Sequence, residues 1–152
     1  MIKSIIAAAI LFATPVAAQE WQIMGADSEG LLALQVDTIN RDNPNNPYAW
    51  VLIVHAWPLG DGTDYTINYV EYDCETRDRV RFVTARAYHR GRVSNGVFDN
   101  YDWEPVHSGT WGDDALRIVC RRAGINRRAI MNYNEHDIAD TYIGKARNGE
   151  YR

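Results

Sequence analysis

The stretch that decides the fold is residues 48–74, YAWVLIVHAWPLGDGTDYTINYVEYDC. Its first ten residues form a nearly unbroken apolar run, which predicts a central strand covered on both faces. The turn sequence PLGDG at 58–62 then sends the chain back through 65–74, where Val70, Tyr72 and Cys74 share one face. The stretch therefore predicts an antiparallel hairpin.

Strand patterns flank this hairpin and helix patterns follow it. Residues 31–36, 79–88 and 92–98 have the alternation or composition of strands. A helix is predicted after Thr110, which forms a capping pair with Asp113, and a second helix is predicted over 134–146 with Asn134 as its cap. The predicted fold class is α+β: an antiparallel sheet of about five or six strands with a helix packed across one face and a C-terminal helix.

The N-terminus has the order of a secretory signal. Lys3 precedes an apolar run over 5–12, and the small residues Val16 and Ala18 suit cleavage before Gln19. The run is shorter than the roughly 20 residues that a transmembrane helix needs; a buried N-terminal helix is the alternative. We expect residues 1–18 to be a signal peptide and 19–152 to be one domain, exported to the periplasm or the cell surface without membrane insertion.

The two cysteines, Cys74 and Cys120, form an even pair in a small exported domain, which predicts a disulfide. This bridge would join the second hairpin strand to the helix that follows Thr110. The competing hypothesis is a catalytic cysteine. It would require a histidine or a helix N-terminus that stabilises the thiolate, and the sequence indicates neither beside Cys74 or Cys120.

Composition excludes several classes of protein. The chain is 46% hydrophobic and 24% charged, with 16 basic and 20 acidic residues, which excludes collagen, coiled coil and general disorder. A net-acidic chain without a basic block is a poor candidate for nucleic-acid binding. The four histidines lack metal-ligand spacing, and there is no phosphate loop or nucleophile elbow, so we expect no metal and no cofactor.

Charge is unevenly distributed along the chain, with a net of −8 over residues 19–73 and +3 over residues 74–152. In the basic part Arg77, Arg79 and Arg81 recur at every second residue, which predicts an arginine stripe on one side of a strand. Guanidinium groups so spaced suit an acidic protein or a sulfated glycan. The alternative is that these arginines pair with Glu75, Asp78 or the acidic half of the same molecule.

A second apolar stripe lies opposite Cys74 on its strand and consists of Tyr65, Ile67 and Tyr69. The C-terminal helix is the favoured cover, because its own apolar stripe otherwise has no partner. If that helix lies elsewhere, Tyr65 and Tyr69 become a homodimer face or a partner-binding surface, since tyrosine is enriched at such sites.

Several short motifs together resemble a known family. They are Trp21, Val36-Asp37-Thr38-Ile39, Trp50, Tyr72-Asp73-Cys74, Trp103-Glu104-Pro105-Val106, Ser108-Gly109 and Val119-Cys120. Residues 21–120 resemble the surface-adhesin protein E-like domain of Gram-negative bacteria, and the helical tail 121–152 lies outside the resemblance. The segment Gly109-Thr110-Trp111-Gly112 is bulkier than the small-residue helix start of that family.

The resemblance implies a bridged sheet-plus-helix domain without enzyme activity. It also implies attachment to host matrix proteins such as vitronectin and laminin, although a fold does not by itself determine function. We therefore predict an exported, non-enzymatic binding module. The alternative is a periplasmic inhibitor or an accessory subunit of an envelope enzyme or machine, acting through a protruding loop such as 99–108. A small hydrolase that uses acidic pairs such as Glu71 and Asp73 ranks last.

Overall fold

The computed structural model of the protein describes residues 19–89, 92–97 and 102–151. The predicted signal peptide, residues 1–18, lies outside these ranges, and so do Phe98 and residues 99–101 of the predicted loop. The described part of the chain folds into an antiparallel sheet and two α-helices. The predicted α+β class is confirmed.

The sheet contains eight strands in the described part of the chain. They are β1 (Trp21–Ala26), β2 (Gly30–Gln35), β3 (Tyr48–His55), β4 (Tyr65–Asp73), β5 (Arg79–His89), β6 (Arg92–Val97), β7 (Glu104–Pro105) and β8 (Ile130–Met131). Their order across the sheet is β6-β5-β4-β3-β2-β1-β8, and β7 pairs with the first residues of β5. The predicted hairpin is the β3–β4 pair near the centre.

The prediction of about five or six strands is wrong in number. β2 to β6 lie within two residues of the predicted bounds, whereas β1, β7 and β8 were not predicted. β1 lacks a regular alternation, because the pairing register with β2 shifts between Ile23 and Gly25. β7 and β8 have two residues each, and so short a segment carries no period.

The two helices are α1 (Trp111–Val119) and α2 (Glu135–Arg147). The Thr110 hydroxyl accepts a hydrogen bond from the amide of Asp113, and the Asn134 side chain accepts one from the amide of Asp137. Both predicted caps are thus confirmed. Neither helix, within the residues described, has the length and apolarity needed to cross a bilayer.

The helices cover opposite faces of the sheet, at opposite ends of the strands. α2 packs with Leu31, Leu52, Val54, Tyr65 and Ile67 on one face. α1 packs with residues that point the other way, namely Leu34, Val36, Ala49, Val51, Val70 and Tyr72. Because the helices are staggered, α2 leaves uncovered the end of its own face that lies behind α1.

A disulfide ties α1 to the end of β4. Cys74 follows the last residue of β4, Cys120 is the C-cap of α1, and their α-carbons lie 5.4 Å apart. The predicted Cys74–Cys120 bridge is therefore confirmed, and no free cysteine remains.

The first residue of α1 packs directly on β1. A β-carbon built on Gly25 would lie 2.0 Å from Nε1 of Trp111, so the indole occupies the space that a side chain at Gly25 would need. The bulky segment around Trp111 therefore has a structural partner, which the sequence does not indicate. Glycine at position 25 allows the start of α1 to approach the sheet closely.

Candidate functional site

The end of the sheet face that α2 leaves uncovered carries a group of aromatic and arginine side chains. β3, β4 and β5 bring them together by pairing Trp50 with Tyr69, Tyr48 with Glu71, and Glu71 with Arg81. Cross-strand partners point to the same side of a sheet. We call this surface the aromatic-arginine face, and it consists of Tyr48, Trp50, Tyr69, Arg81, Arg86 and Trp103.

The aromatic rings of this face form a continuous row. The rings of Tyr48 and Tyr69 stack with centroids 5.2 Å apart, and those of Trp50 and Tyr69 meet at 4.9 Å with a tilt of 42°. All three side chains are half-buried. Burial raises the pKa of both tyrosines, with Glu71 adding to the effect on Tyr48 and Asp42 to that on Tyr69. The row is thus a neutral, rigid, partly exposed platform.

Two of the predicted arginines lie on this side of the sheet and have acidic partners. Arg81 forms an ion pair with Glu71 and donates from Nε to its carboxylate at 2.6 Å. Arg79 pairs with Asp73 at 3.1 Å and with Asp78 at 3.5 Å. Glu71 and Asp73 are buried. Burial opposes the charge of Asp73, but hydrogen bonds from Thr76 and Glu75 and the charge of Arg79 together lower its pKa.

These pairs change the interpretation of the predicted stripe. For Arg79 and Arg81 the alternative hypothesis holds, namely that these arginines pair with acidic residues of the same molecule, because their charges are neutralised within the fold. Arg77 does not belong to the strand at all. It lies in the turn between β4 and β5, with φ of 68°, and its Nε donates to the carbonyl of Cys74. The spacing of the three arginines therefore does not put them on one strand face.

A bulge in β5 adds an arginine that the sequence analysis missed. Tyr69 pairs with Thr84 while Val70 pairs with Phe82, which leaves Val83 as an extra residue. As a result Arg86, opposite Ile67, points to the same side as Arg81, although their numbers differ by an odd count. The Arg86 guanidinium lies 5.9 Å from the centre of the Trp50 ring. Arg86 forms no ion pair with a residue in the described ranges.

Trp103 was quoted only as a family motif, yet it belongs to the same surface. The Arg81 guanidinium lies 4.8 Å from the centre of its ring. A guanidinium held between a carboxylate and an indole is fixed in orientation. The alternation of single strands could have indicated Tyr48 and Trp50, but no sequence signal places Trp103 beside Arg81.

Tyr65, the other predicted aromatic, lies beneath α2 instead of on the aromatic-arginine face. Its ring stacks on that of Tyr88 with centroids 4.4 Å apart, and its hydroxyl is hydrogen-bonded to Nδ1 of His136. Burial, assisted by nearby Tyr88 and acidic residues, raises the pKa of Tyr65. Tyr65 thus lies at the junction of α2 and the sheet. Of the predicted pair Tyr65 and Tyr69, only Tyr69 belongs to the aromatic-arginine face.

A cleft of about 590 Å³ opens beside this junction and is lined by Asp64, Tyr65, Tyr88, His136, Asp140 and other residues. Arg147 in its wall lies 3.7 Å from Asp64. No group of three or more histidine, cysteine or acidic side chains within the described ranges is arranged to hold a metal ion. The acidic pair Glu71 and Asp73 is held by arginines, so neither carboxylate is placed as a free acid or base.

Comparison with known proteins identifies a family. Residues 21–121 match the family described as surface-adhesin protein E, in agreement with the resemblance predicted over 21–120. No curated protein and no solved structure matches the chain significantly. A surface adhesin acts by binding outside the cytoplasm, which agrees with the disulfide. Since the match covers about two thirds of its length, this chain belongs to the surface-adhesin protein E family.

Proposed function

We propose that this protein is an exported, non-enzymatic binding module that attaches to a host matrix protein through the aromatic-arginine face. The observation that carries the proposal is the row of Tyr48, Tyr69 and Trp50 on the end of the sheet face that α2 does not cover, with Arg86 above Trp50. The family supports an adhesin-like role. The row supplies a surface on which such a role can act.

The residue types of this face suit a protein partner. Trp, Tyr and Arg dominate the residues on which protein interfaces depend most strongly. Stacked rings in a β-sheet lose little further side-chain entropy on binding, because strand pairing and ring contacts already hold them. A partner therefore gains apolar contact with Tyr48, Trp50 and Tyr69 at a low ordering cost.

The charges of the face restrict the chemistry of the partner. Arg79 and Arg81 are neutralised by Asp73 and Glu71, which leaves Arg86 as the arginine of this surface without an acidic partner in the described ranges. We infer a partner that places apolar or aromatic side chains on the ring row and one carboxylate near Arg86. Binding of this kind depends mainly on apolar contact, so added salt should weaken it only modestly.

The test uses the mature chain, residues 19–152, and immobilised vitronectin and laminin, the matrix proteins implied by the family resemblance. Binding to at least one of them should fall by roughly tenfold in Tyr69→Ala and in Arg86→Ala, as expected for central interface residues. Tyr133→Ala is the matched control, because Tyr133 is 56% exposed and lies off this face. Near-ultraviolet circular dichroism checks that each variant keeps its fold.

Two results would overturn the proposal. One is the absence of binding to both matrix proteins. The other is binding that Tyr69→Ala and Arg86→Ala leave unchanged, or that Tyr133→Ala weakens equally. Repeating the binding assay over a range of salt concentrations adds an independent readout. A steep loss of affinity with added salt would assign the contact to unpaired arginines elsewhere on the molecule.

A further inference from the structure

Two arginines have a backbone conformation that arginine rarely adopts. Arg77 has φ of 68° and Arg121 has φ of 57°, and in the described ranges these are the residues other than glycine with positive φ. Glycine or asparagine fits this left-handed region at lower free energy than arginine does. A costly residue at such a position points to a use for its side chain.

The disulfide holds these two arginines near each other. Arg121 follows Cys120 directly, and Arg77 donates from Nε to the carbonyl of Cys74 at 3.2 Å. The α-carbons of the two cysteines are 5.4 Å apart. The bridge therefore brings the turn after β4 beside the end of α1, although the two segments are distant in sequence.

The end of α1 does not need these arginines for capping. The amide of Arg121 donates to the carbonyl of Ile118 and that of Arg122 to the carbonyl of Arg117, so the backbone itself closes the helix in a Schellman arrangement. The side chain of Arg41 donates to the carbonyls of Val119 and Ile118, at 3.0 and 3.2 Å, and so caps one further carbonyl, that of Val119. The guanidinium groups of Arg117, Arg121 and Arg122 take no part in these bonds.

Positive charge is concentrated along the chain from the end of α1 onward. Between Asp114 and Glu135 the chain has five arginines and no acidic residue. All five are exposed, and none forms an ion pair with a residue in the described part of the chain. Burial lowers the pKa of Arg41, and the nearby charge of Arg121 lowers it further. A cleft of about 400 Å³ lies between Arg41, Arg121 and Arg122.

We define the arginine patch as Arg77, Arg117, Arg121 and Arg122, and we propose that it binds a linear sulfated glycan. Forked guanidinium groups match the oxygens of sulfate, and several of them on one surface match a chain of repeated sulfates. This surface is additional to the one in the proposed function. It lies at the end of α1, on the side of the sheet opposite the aromatic-arginine face.

The surroundings of the patch favour a glycan over a membrane or a protein partner. The large apolar side chains that the structure exposes are Trp57, Leu59, Val93 and Tyr133, and none belongs to the patch. Among the residues that the structure describes, the patch therefore has neither an aromatic anchor for a protein nor an apolar wedge for a bilayer. A planar anionic membrane would also face the rest of an acidic protein with a net charge of −4, whereas a thin glycan chain contacts the patch alone.

The experiment measures binding of the mature chain to immobilised heparin over a range of salt concentrations. Arg121→Gly with Arg122→Gln removes two patch charges. Arg92→Gln with Lys145→Gln removes two charges elsewhere and is the matched control. We expect the patch variant to lose roughly tenfold in affinity and its slope of log affinity against log salt to fall by about one to two, as counterion release from a polyanion predicts. The control variant should match the wild type.

Stability separates loss of charge from loss of fold. Since glycine is favoured at the left-handed position, Arg121→Gly should raise the thermal midpoint while it lowers heparin binding. The patch variant should bind matrix proteins as the wild type does, so failure of this proposal and failure of the proposed function are distinguishable.

Three results would overturn the inference. They are no heparin binding at low salt, equal losses in the patch and control variants, and equally tight, patch-dependent binding of polyglutamate or phosphatidylglycerol vesicles. The last result would assign the patch to an acidic protein or to a lipid surface.

Discussion

The contact between Gly25 and Trp111 is predicted to make a mild substitution costly. In Gly25→Ala the new β-carbon would lie 2.0 Å from Nε1 and 2.1 Å from Cε2 of Trp111, whereas ordinary contact begins at 3.4 Å. The indole or strand β1 must therefore move by more than 1 Å. Trp111 is the first residue of α1, and this helix holds Leu116 and Val119 fully buried against the sheet. Movement at the start of α1 thus disturbs a packed core.

The change in unfolding free energy caused by Gly25→Ala has two components, the clash with Trp111 and the lower flexibility of alanine in the unfolded chain. Overpacking of this kind costs about 1–3 kcal/mol of unfolding free energy. Without the indole this clash is absent, and alanine fits the backbone at position 25 because Gly25 is not at positive φ. In a Trp111→Ala background, Gly25→Ala should therefore be neutral or stabilise by about 0.4–1 kcal/mol. The coupling energy between the two positions is then about 2 kcal/mol.

The assay is urea unfolding of the wild type, both single variants and the double variant. Gly144→Ala, alone and with Trp111→Ala, serves as the control, because Gly144 has open space around it and lies in α2 on the opposite face of the sheet. Gly144→Ala should stabilise by about 1 kcal/mol in both backgrounds. If the effects of Gly25→Ala and Trp111→Ala simply add, the steric reasoning is refuted.

Three further predictions concern the disulfide and the acidic pairs. Cys120→Ser removes the disulfide between residues separated by 46 positions, so it should lower the unfolding free energy by about 4 kcal/mol. If the disulfide alone is responsible, denaturation of the reduced wild type should show the same loss. Arg81→Gln should lower the unfolding free energy by about 2–3 kcal/mol, because the Glu71 side chain is only 5% exposed and loses its ion-pair partner. Adding Glu71→Gln should recover part of this loss, and a double variant without recovery would contradict the pairing argument. The pKa of Asp73 is lower in the folded state, so the contribution of its carboxylate to stability is present above the unfolded pKa of about 3.9 and is lost as pH falls through the folded pKa. Asp73→Asn should therefore destabilise the protein at pH 6 and have little effect at the lowest pH. In a plot of unfolding free energy against pH, the variant should show a flatter acid limb than the wild type.

Much of the fold was predictable because local patterns determine it. The apolar run 48–57 and the turn at 58–62 predict β3, β4 and their hairpin, since a fully buried strand and a glycine-containing reversal have strong signatures. Thr110 and Asn134 mark the starts of both helices through side-chain bonds that span only three residues. The partnership of Cys74 with Cys120 follows because no other cysteine is present.

The candidate surfaces were less predictable, because they depend on pairing between distant segments. Alternation in sequence predicts one stripe from Arg77 to Arg81, but the strand begins only at Arg79. The bulge at Val83 reverses the side on which later residues of β5 point, so Arg86 joins Arg81 against the simple period of two. A bulge is defined by the partner strand, which a single strand's sequence does not contain.

The sequence by itself determined the fold class, the central hairpin, the helix caps and the bridge. Each of these rests on residues close in the chain or on a pair without alternatives. Only the tertiary structure decided which arginines are neutralised and which have no acidic partner among the described residues. Glu71 and Asp73 reach Arg81 and Arg79 through the register of β4 on β5, while the bridge carries Arg77 to the end of α1. Charge pairing depends on distances in space, and strand register and cross-links set those distances.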